Sequence, residues 1–457
     1  MMVPSTLADL VALMENGRFV GDRSAGGATV DLQPAISAAA TMAAAYHPGD
    51  RVRLRGIHGN ALLHGVHTLW RRGLVPVLGA EQLTAATWTG EASLFDWDGL
   101  TLQQQTHGTP DHDPPALLQA TSGSTRHPKL VARGAASLLD EAQRYAARYG
   151  FAAGQRALIA APVFHSFAFG AALALISAGA SVECQRTPNP AALARRLRAG
   201  DFDVVVLTPA IARLAVKAQR GLIADGESSC LVIAGAGPVP DALDAAFRRS
   251  FGCALARNYG STETGATFGE PASLPEGRIG RPFNGITILA PPPDGSMGEL
   301  VLSLGHAILG EEGSALSSDH AAGIWRTGDV VRREADGSAV LIGRLADRLK
   351  INGHSIDGAA LTQRLRALPG VTDALAICGP ERHRGGADAL ILALEGPRPD
   401  PAIIREALAE VPAVPTRIVT MPALPRTAAG KIDRLQLLAA DERAGERAGA
   451  AISSYQA

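Results

Sequence analysis

The chain has 457 residues, more than one hydrophobic core usually organises, so two or more domains are expected. Hydrophobic residues make up 46%, charged residues 19% and aromatic residues 4%, which excludes a globally disordered chain and points to a core of Ala, Val, Leu and Ile. With 43 Lys and Arg against 44 Asp and Glu there is no positive field to hold a polyanion, and no nucleic-acid partner is expected.

At the N-terminus, Leu7, Leu10, Val11 and Met14 recur at helical spacing without a basic segment before an apolar core, which predicts a surface helix rather than a leader. No apolar run is long enough for a membrane span. Cys184, Cys230, Cys253 and Cys378 have neither zinc-site spacing nor disulfide-scaffold density, and a cytoplasmic location fits them. From about residue 116 to 265, apolar runs alternate with helical patterns, the signature of parallel β-α-β units. The strands expected are 157–164, 180–185, 203–208 and 230–237, continuous enough to be buried on both faces. Between them, 137–150 is periodic as a helix, and Pro190 and Pro240 stand where helices begin. After Gly280, short strands broken by Gly and Pro predict a small β-rich unit. A small α+β region follows, with helices at 356–368 and 402–410 and strands at 374–378, 389–394 and 416–420; the tail from Glu442 is expected to fray. The fold class expected is therefore α/β, a large N-terminal domain of layered β-α-β subdomains (1–345) and a small mobile α+β C-terminal domain (346–457).

The strongest local feature is TSGSTRHPK, in which Thr121, Ser122, Gly123, Ser124 and Thr125 lead to Arg126 and then Lys129. Hydroxyls and free backbone N–H groups can cradle phosphates and a lysine adds charge, yet such a turn alone is commonly a solvated loop. Tyr259 has a flat face, and Asn258 and the backbone of Ala236, Gly237 and Pro238 can hydrogen-bond a ring edge. Gly260 and Ser261 lead to the hydroxyl of Thr262 and to Glu263, a hard oxygen ligand. Asp329 can accept two hydrogen bonds and Arg344 can donate them.

TSGSTRHPK, AGAGP (234–238), NYGSTETG (258–265), WRTGD (325–329), GRLADRLKINGHSI (343–356) and LPRTAAGKIDR (424–434) occur in an order that resembles the adenylate-forming superfamily of acyl- and aryl-CoA synthetases, peptide-synthetase adenylation domains and luciferases. The resemblance spans residues 116–436 and is most like a stand-alone aryl or acyl acid ligase. It implies ATP and Mg²⁺ as cofactors, a small carboxylic acid as substrate, and CoA or the phosphopantetheine of a separate acyl carrier protein as acceptor. What the groups above would meet is implied with it: adenine at Tyr259, Asn258 and the backbone of 236–238, the α-phosphate at Thr262, Mg²⁺ at Glu263, and ribose at Asp329 and Arg344, the plain alternative for the last pair being a surface salt bridge. It further implies an active site at the interface of the two domains, where Lys431 bridges the substrate carboxylate and the α-phosphate during adenylation. Phe164 and His165 match the family's P-x-F-H segment between acyl pocket and thiol tunnel; with Gly260 and Gly265 they are the candidate substrate pocket, and His165 is also a candidate for the thiol step. His165 could equally be a packed residue at a strand tip.

The chain departs from the pattern at three points. Arg126 replaces a glycine of the phosphate loop, Ala346 stands at the hinge position usually held by Asp or Lys, and the phosphate loop begins early, so the N-terminal subdomain is trimmed. Arg126 and Ala346 motivate the rival expectation of a nucleotide-binding sensor with reduced turnover, against which stand Lys431, Glu263 and Asp329, and a non-thiol acceptor is a further alternative to CoA or a carrier protein. Amino-acid-activating relatives carry an Asp where His165 stands, so a carboxylic acid without an α-amino group is expected, with a leaning towards aromatic acids.

Overall fold

The computed structural model describes residues 6–15, 18–19, 46–81, 83–85, 88, 90–98, 101–109, 111, 113–121, 129–187, 189–219, 221–224, 226–345, 348–351, 354–380, 388–409, 411, 417–426, 432–434 and 436–437. Ser122, Gly123, Ser124, Thr125, Arg126, Ala346, Lys431 and the tail from Glu442 lie outside them. The chain divides into two compact units: Met1–Gly295, Val301–Thr327 and Arg333–Val340 form one, and Ser296–Leu300, Gly328–Arg332 and Leu341–Ala457 the other.

The N-terminal helix is present as α1 (Leu7–Glu15), with Leu10 and Met14 buried. It is followed by β1 (Arg18–Phe19), β2 (Arg51–Leu54), α2 (Asn60–Trp70), β3 (Val75–Leu78), β4 (Leu94–Trp97), β5 (Leu102–Gln104), β6 (Leu117–Ala120) and β7 (Leu130–Arg133). Next come α3 (Ala135–Tyr149), β8 (Arg156–Ile159), α4 (Ser166–Ser177), β9 (Ser181–Cys184), α5 (Pro190–Ala199), β10 (Val204–Leu207), α6 (Pro209–Ala218), β11 (Leu231–Ala234), α7 (Asp241–Phe251), β12 (Leu255–Ser261) and β13 (Gly265–Glu270). Two seven-stranded sheets result, in the orders β1-β9-β8-β10-β11-β12-β13 and, with β17 (Gly310–Glu311), β17-β7-β6-β3-β2-β4-β5.

In the first sheet β9, β8, β10, β11 and β12 run parallel, and only β13 returns antiparallel on β12. The run Val204–Leu207 is wholly buried, as strands covered on both faces must be. Helix starts follow local chemistry: Asn189 and Thr208 accept backbone N–H bonds in front of Pro190 and Pro209. The two sheets share a helical layer, in which Trp70 of α2 meets Phe169 of α4 edge-on at 6.3 Å. Asn60 joins them further, donating to the Val182 carbonyl and accepting from the Cys184 amide.

The β-rich segment expected after Gly280 is a five-stranded sheet of β14 (Arg278–Gly280), β15 (Thr287–Ala290), β16 (Met297–Ser303), β18 (Ile324–Arg333) and β19 (Ala339–Arg344), in the order β14-β19-β18-β16-β15, with α8 (Ser318–Ala321) before β18. The C-terminal region contains the hairpin β20 (Arg348–Ile351) and β21 (His354–Asp357), then α9 (Gly358–Arg366), β22 (Asp373–Pro380), β23 (Asp388–Glu395), α10 (Pro401–Ala407) and β24 (Arg417–Met421). Its core is Leu361, Leu365, Leu390, Leu392, Leu394 and Ile404. The helix expected from 356 begins two residues later, because β21 runs to Asp357, whose carboxylate then accepts the Ala360 amide at 2.9 Å as a cap. Among the described residues no helix is long and apolar enough to cross a membrane.

Candidate active site

Parallel strands place their carboxyl ends along one edge, where the following turns leave backbone groups available to a ligand. The run 157–164, expected as one strand, is instead the four-residue β8 and a turn. The Ala160 and Ala161 amides both donate to the Val206 carbonyl at 2.8 and 3.2 Å, and Pro162 has no N–H to continue the ladder. The Pro162 carbonyl accepts the His165 amide at 3.1 Å, and His165 becomes the N-cap residue of α4. The Phe164 and His165 rings pack tilted at 45° with centroids 4.3 Å apart, and the Phe164 carbonyl accepts from Gln119 Nε2 at 3.2 Å.

The strand expected over 230–237 likewise stops at Ala234, and Gly235, Ala236, Gly237 and Pro238 form the turn beyond it. Ala236 has φ of 62°, the one non-glycine residue with positive φ among the described residues. A left-handed residue without glycine's freedom stores strain, of a kind that clusters at ligand clamps. Phe167, in the first turn of α4, packs against this turn: a Cβ on Gly235 would stand 2.5 Å from its ring.

At the next strand end, Asn258, Tyr259, Gly260 and Ser261 close β12, with a register shift between Tyr259 and Gly260. Tyr259 packs edge-on against Phe268 at 5.8 Å. Gly260 admits no side chain, since a Cβ there would lie 2.1 Å from the Gly265 carbonyl oxygen. Thr262, Glu263 and Thr264 form the tip of the β12–β13 hairpin. Thr262 Oγ1 is 3.3 Å from Ser166 Oγ at the start of α4, which brings this motif and the F-H-S segment together. Glu263 is half-buried, and no cluster of three His, Cys, Asp or Glu side chains occurs among the described residues. One carboxylate completed by substrate phosphates fits Mg²⁺, which keeps most of its ligands as water and phosphate oxygens.

The two residues flanking the 122–128 segment are tied together, the Thr121 amide donating to the Lys129 carbonyl at 2.9 Å. Lys129 pairs with Glu311 at 3.0 Å, both side chains exposed. In the second unit, Asp329 is 3% exposed and accepts from Arg344 Nε at 2.7 Å, so the two residues read as a ribose pair are in contact. The base of the Lys431 motif is also fixed. Arg426 bridges antiparallel to Ile432, the Pro425 carbonyl accepts the Asp433 amide at 2.7 Å, and Arg426 donates to Asp373 at 2.8 Å and Glu395 at 2.9 Å.

Sequence reasoning gave no separate role to Ser166, Phe167 or Arg426, which lie in the segments it singled out, and it missed Arg133, Glu141 and Asp373. Each of these last three is an ordinary residue of a strand or helix until its distant partner is known. Only Arg133 carries a signal, as a charge ending the apolar run Leu130–Ala132.

The model of the family described as AMP-binding enzyme matches residues 20–309. Over 93% of this chain and 87% of the relative, the sequence is 26% identical to a salicyl-AMP ligase / salicyl-S-ArCP synthetase of Mycobacterium tuberculosis. It is 28% identical to triostin synthetase I of Streptomyces triostinicus over 72% of the chain, spanning 66% of that relative. It is 31% identical to a probable non-canonical nonribosomal peptide synthetase, CymA, of Salinispora arenicola over 76% of the chain, but spans only 5% of it. Among solved structures, ATP-bound MatB from Rhodopseudomonas palustris superposes with a TM-score of 0.76 at 18% identity, covering 95% of this chain and 98% of that one. o-Succinylbenzoate CoA synthetase from Bacillus subtilis gives a TM-score of 0.70 at 19% identity, with coverages of 95% and 98%. These two likenesses establish the layered α/β fold, and the family match extends over more than half of the residues with motifs at the ends of β8, β11 and β12. The chain belongs to the AMP-binding enzyme family.

Proposed function

We propose that this protein activates a carboxylic acid lacking an α-amino group with ATP and Mg²⁺, forming an acyl-adenylate, and then transfers the acyl group to a thiol of CoA or of a carrier-protein phosphopantetheine. The observation that carries the reading is the meeting of Thr262 with Ser166 at 3.3 Å, which sets the phosphate-side motif against the acid-side segment. An acid lying beside Phe164 and His165 would have its carboxylate next to the α-phosphate held at Thr262. A carboxylate oxygen attacks the α-phosphorus, the bond to the β-phosphate oxygen breaks, and pyrophosphate leaves; a thiolate then attacks the acyl carbon and AMP leaves.

Anion attacking anion needs positive charge. Lys129 at the loop base and Lys431 supply it from this chain, and Mg²⁺, held by Glu263, would neutralise the departing pyrophosphate. Asp329 with Arg344 would bind ribose, and the Gly235–Pro238 turn with Asn258 and Tyr259 would bind adenine. Against an amino-acid substrate stands His165, since a buried ammonium needs a carboxylate partner. The likeness to a salicyl-AMP ligase over 93% of the chain supports an aromatic acid. Acid-dependent ATP–pyrophosphate exchange with aryl, aliphatic and amino acids tests this: exchange is expected with non-amino acids, aromatic ones first, and a response to amino acids alone would overturn the assignment.

A further inference from the structure

Beneath the hairpin tip lies a buried ion pair that no part of the reaction described above uses. Arg133, the last residue of β7, and Glu141, two turns into α3, meet at 3.0 Å with side chains 1% and 2% exposed. Arg133 divides its donors between α3 and the hairpin: Nε to Ser137 Oγ at 2.8 Å, Nη2 to the Ser137 carbonyl at 3.3 Å, and Nη1 to the Thr262 carbonyl at 3.2 Å. Glu141 Oε1 accepts the Ala266 amide at 2.8 Å. The pair thus grips the chain on both sides of Glu263, at Thr262 before it and at Ala266 after it.

Space for the carboxylate comes from two missing side chains. A Cβ at Gly170 of α4 or at Gly265 of β13 would stand 2.2 Å from Glu141 carboxylate atoms. Stability alone is a poor reason for this arrangement, because apolar residues of similar volume commonly replace a buried ion pair without loss. Orientation is a better one: β7 follows the TSGSTRHPK segment in the chain, so a strut from Arg133 to the Thr262 carbonyl ties the hairpin tip to that strand.

We propose that Arg133 and Glu141 are positioning residues, holding the Thr262–Glu263 tip at the height where it meets the triphosphate and its metal. The proposal rests on the assignment of Thr262 and Glu263 given above. The test compares affinity for Mg·ATP by calorimetry with affinity for adenosine by ligand-observed NMR in Arg133→Met/Glu141→Leu. Mg·ATP is expected to bind about tenfold or more weakly, and adenosine within about twofold of wild type, because only the triphosphate reaches the tip. Wild-type Mg·ATP affinity in the folded double variant, or equal loss for both ligands, would overturn the proposal. Should the double variant fail to fold, Glu141→Gln decides: it keeps the acceptor for Ala266 and loses the charge facing Arg133, so Mg·ATP should weaken about threefold with adenosine unchanged, and no change would overturn it. Glu263→Gln separates the two failures. If it leaves Mg·ATP affinity untouched, the triphosphate assignment itself falls; if it weakens Mg·ATP while the pair variants do not, only the positioning role falls.

Discussion

At the ends of β8, β11 and β12, position is set by side chains that are missing: Gly79 admits the Phe164 ring, Gly235 the Phe167 ring, and Gly260 the Gly265 carbonyl, each within 3.1 Å of where a Cβ would be. Around the Lys431 motif, position is set by charge. Arg426 is held by Asp373 and Glu395, Arg366 donates to Asp373 at 2.7 Å, and the Leu424 amide donates to Glu395 at 2.9 Å. Close packing around glycine fixes one geometry and tolerates no alternative, which suits the slot proposed above for a purine and an acid. A charge network at Arg426 anchors the chain just before the Lys431 segment by ion pairs rather than by close packing, which suits the proposed role of a lysine needed in only one half of the reaction. The two regions should therefore fail differently when broken.

The largest effect is expected at Lys431. Lys431→Ala removes a charge from the phosphoryl transition state, and acid-dependent pyrophosphate exchange should fall by about a hundredfold or more. Thioester formation from chemically prepared acyl-adenylate should stay within several-fold of wild type, whereas equal loss in both half-reactions would show that the lysine is structural. Asp329→Ala is expected to come next. Loss of charge-assisted bonds to ribose should weaken ATP by about 1.5 to 3 kcal/mol, read by calorimetry. Arg344, whose Nε now donates to Asp329 at 2.7 Å, would lose that partner, and unchanged ATP affinity would remove the ribose assignment.

Much of this was legible from residues alone, but unevenly. The parallel strands declared themselves because Val204–Leu207 and Leu231–Ala234 are apolar throughout. Strand ends were read too long at Pro162 and Gly235, where backbone geometry overrides an apolar pattern that continues past it. Charged residues inside the fold were invisible. Arg51-Val52-Arg53-Leu54 alternates like a half-exposed strand, yet all four are buried, because Asp96, Asp111 and Glu312 meet the two arginines. Glu141 hid in the same way: its burial depends on Gly170 and Gly265, and no local pattern reports a clearance created so far along the chain.

The smallest effect, and the one that best separates the two modes of positioning, is expected at Arg426. Burial pushes the Asp373 carboxyl up, but Arg366 and Arg426 outweigh it and hold it below the ordinary carboxylate range. For Glu395 burial is likewise outweighed, by the Leu424 amide, Arg426 and Thr372. Both groups have folded pKa values below their unfolded ones, so the unfolded chain binds more protons as the solution turns acid. Their stabilisation is complete above the ordinary carboxylate range and is lost as pH falls through the depressed folded values. Arg426→Ala should accordingly cost about 1–2 kcal/mol at pH 7, a partly exposed version of breaking a buried pair. The gap to wild type in thermal unfolding should hold steady above the ordinary carboxylate range and narrow as pH falls through the depressed folded values, below which the carboxyls are neutral in both proteins. A gap that did not change with pH would mean that Arg426 acts through the packing of its stem, and that the hairpin base, like the strand-end turns, is positioned by shape rather than by charge. Pyrophosphate exchange should fall several-fold in the same variant at pH 7 with the KM for ATP little changed, because the nucleotide's own contacts remain while the hairpin that carries Lys431 is less firmly set.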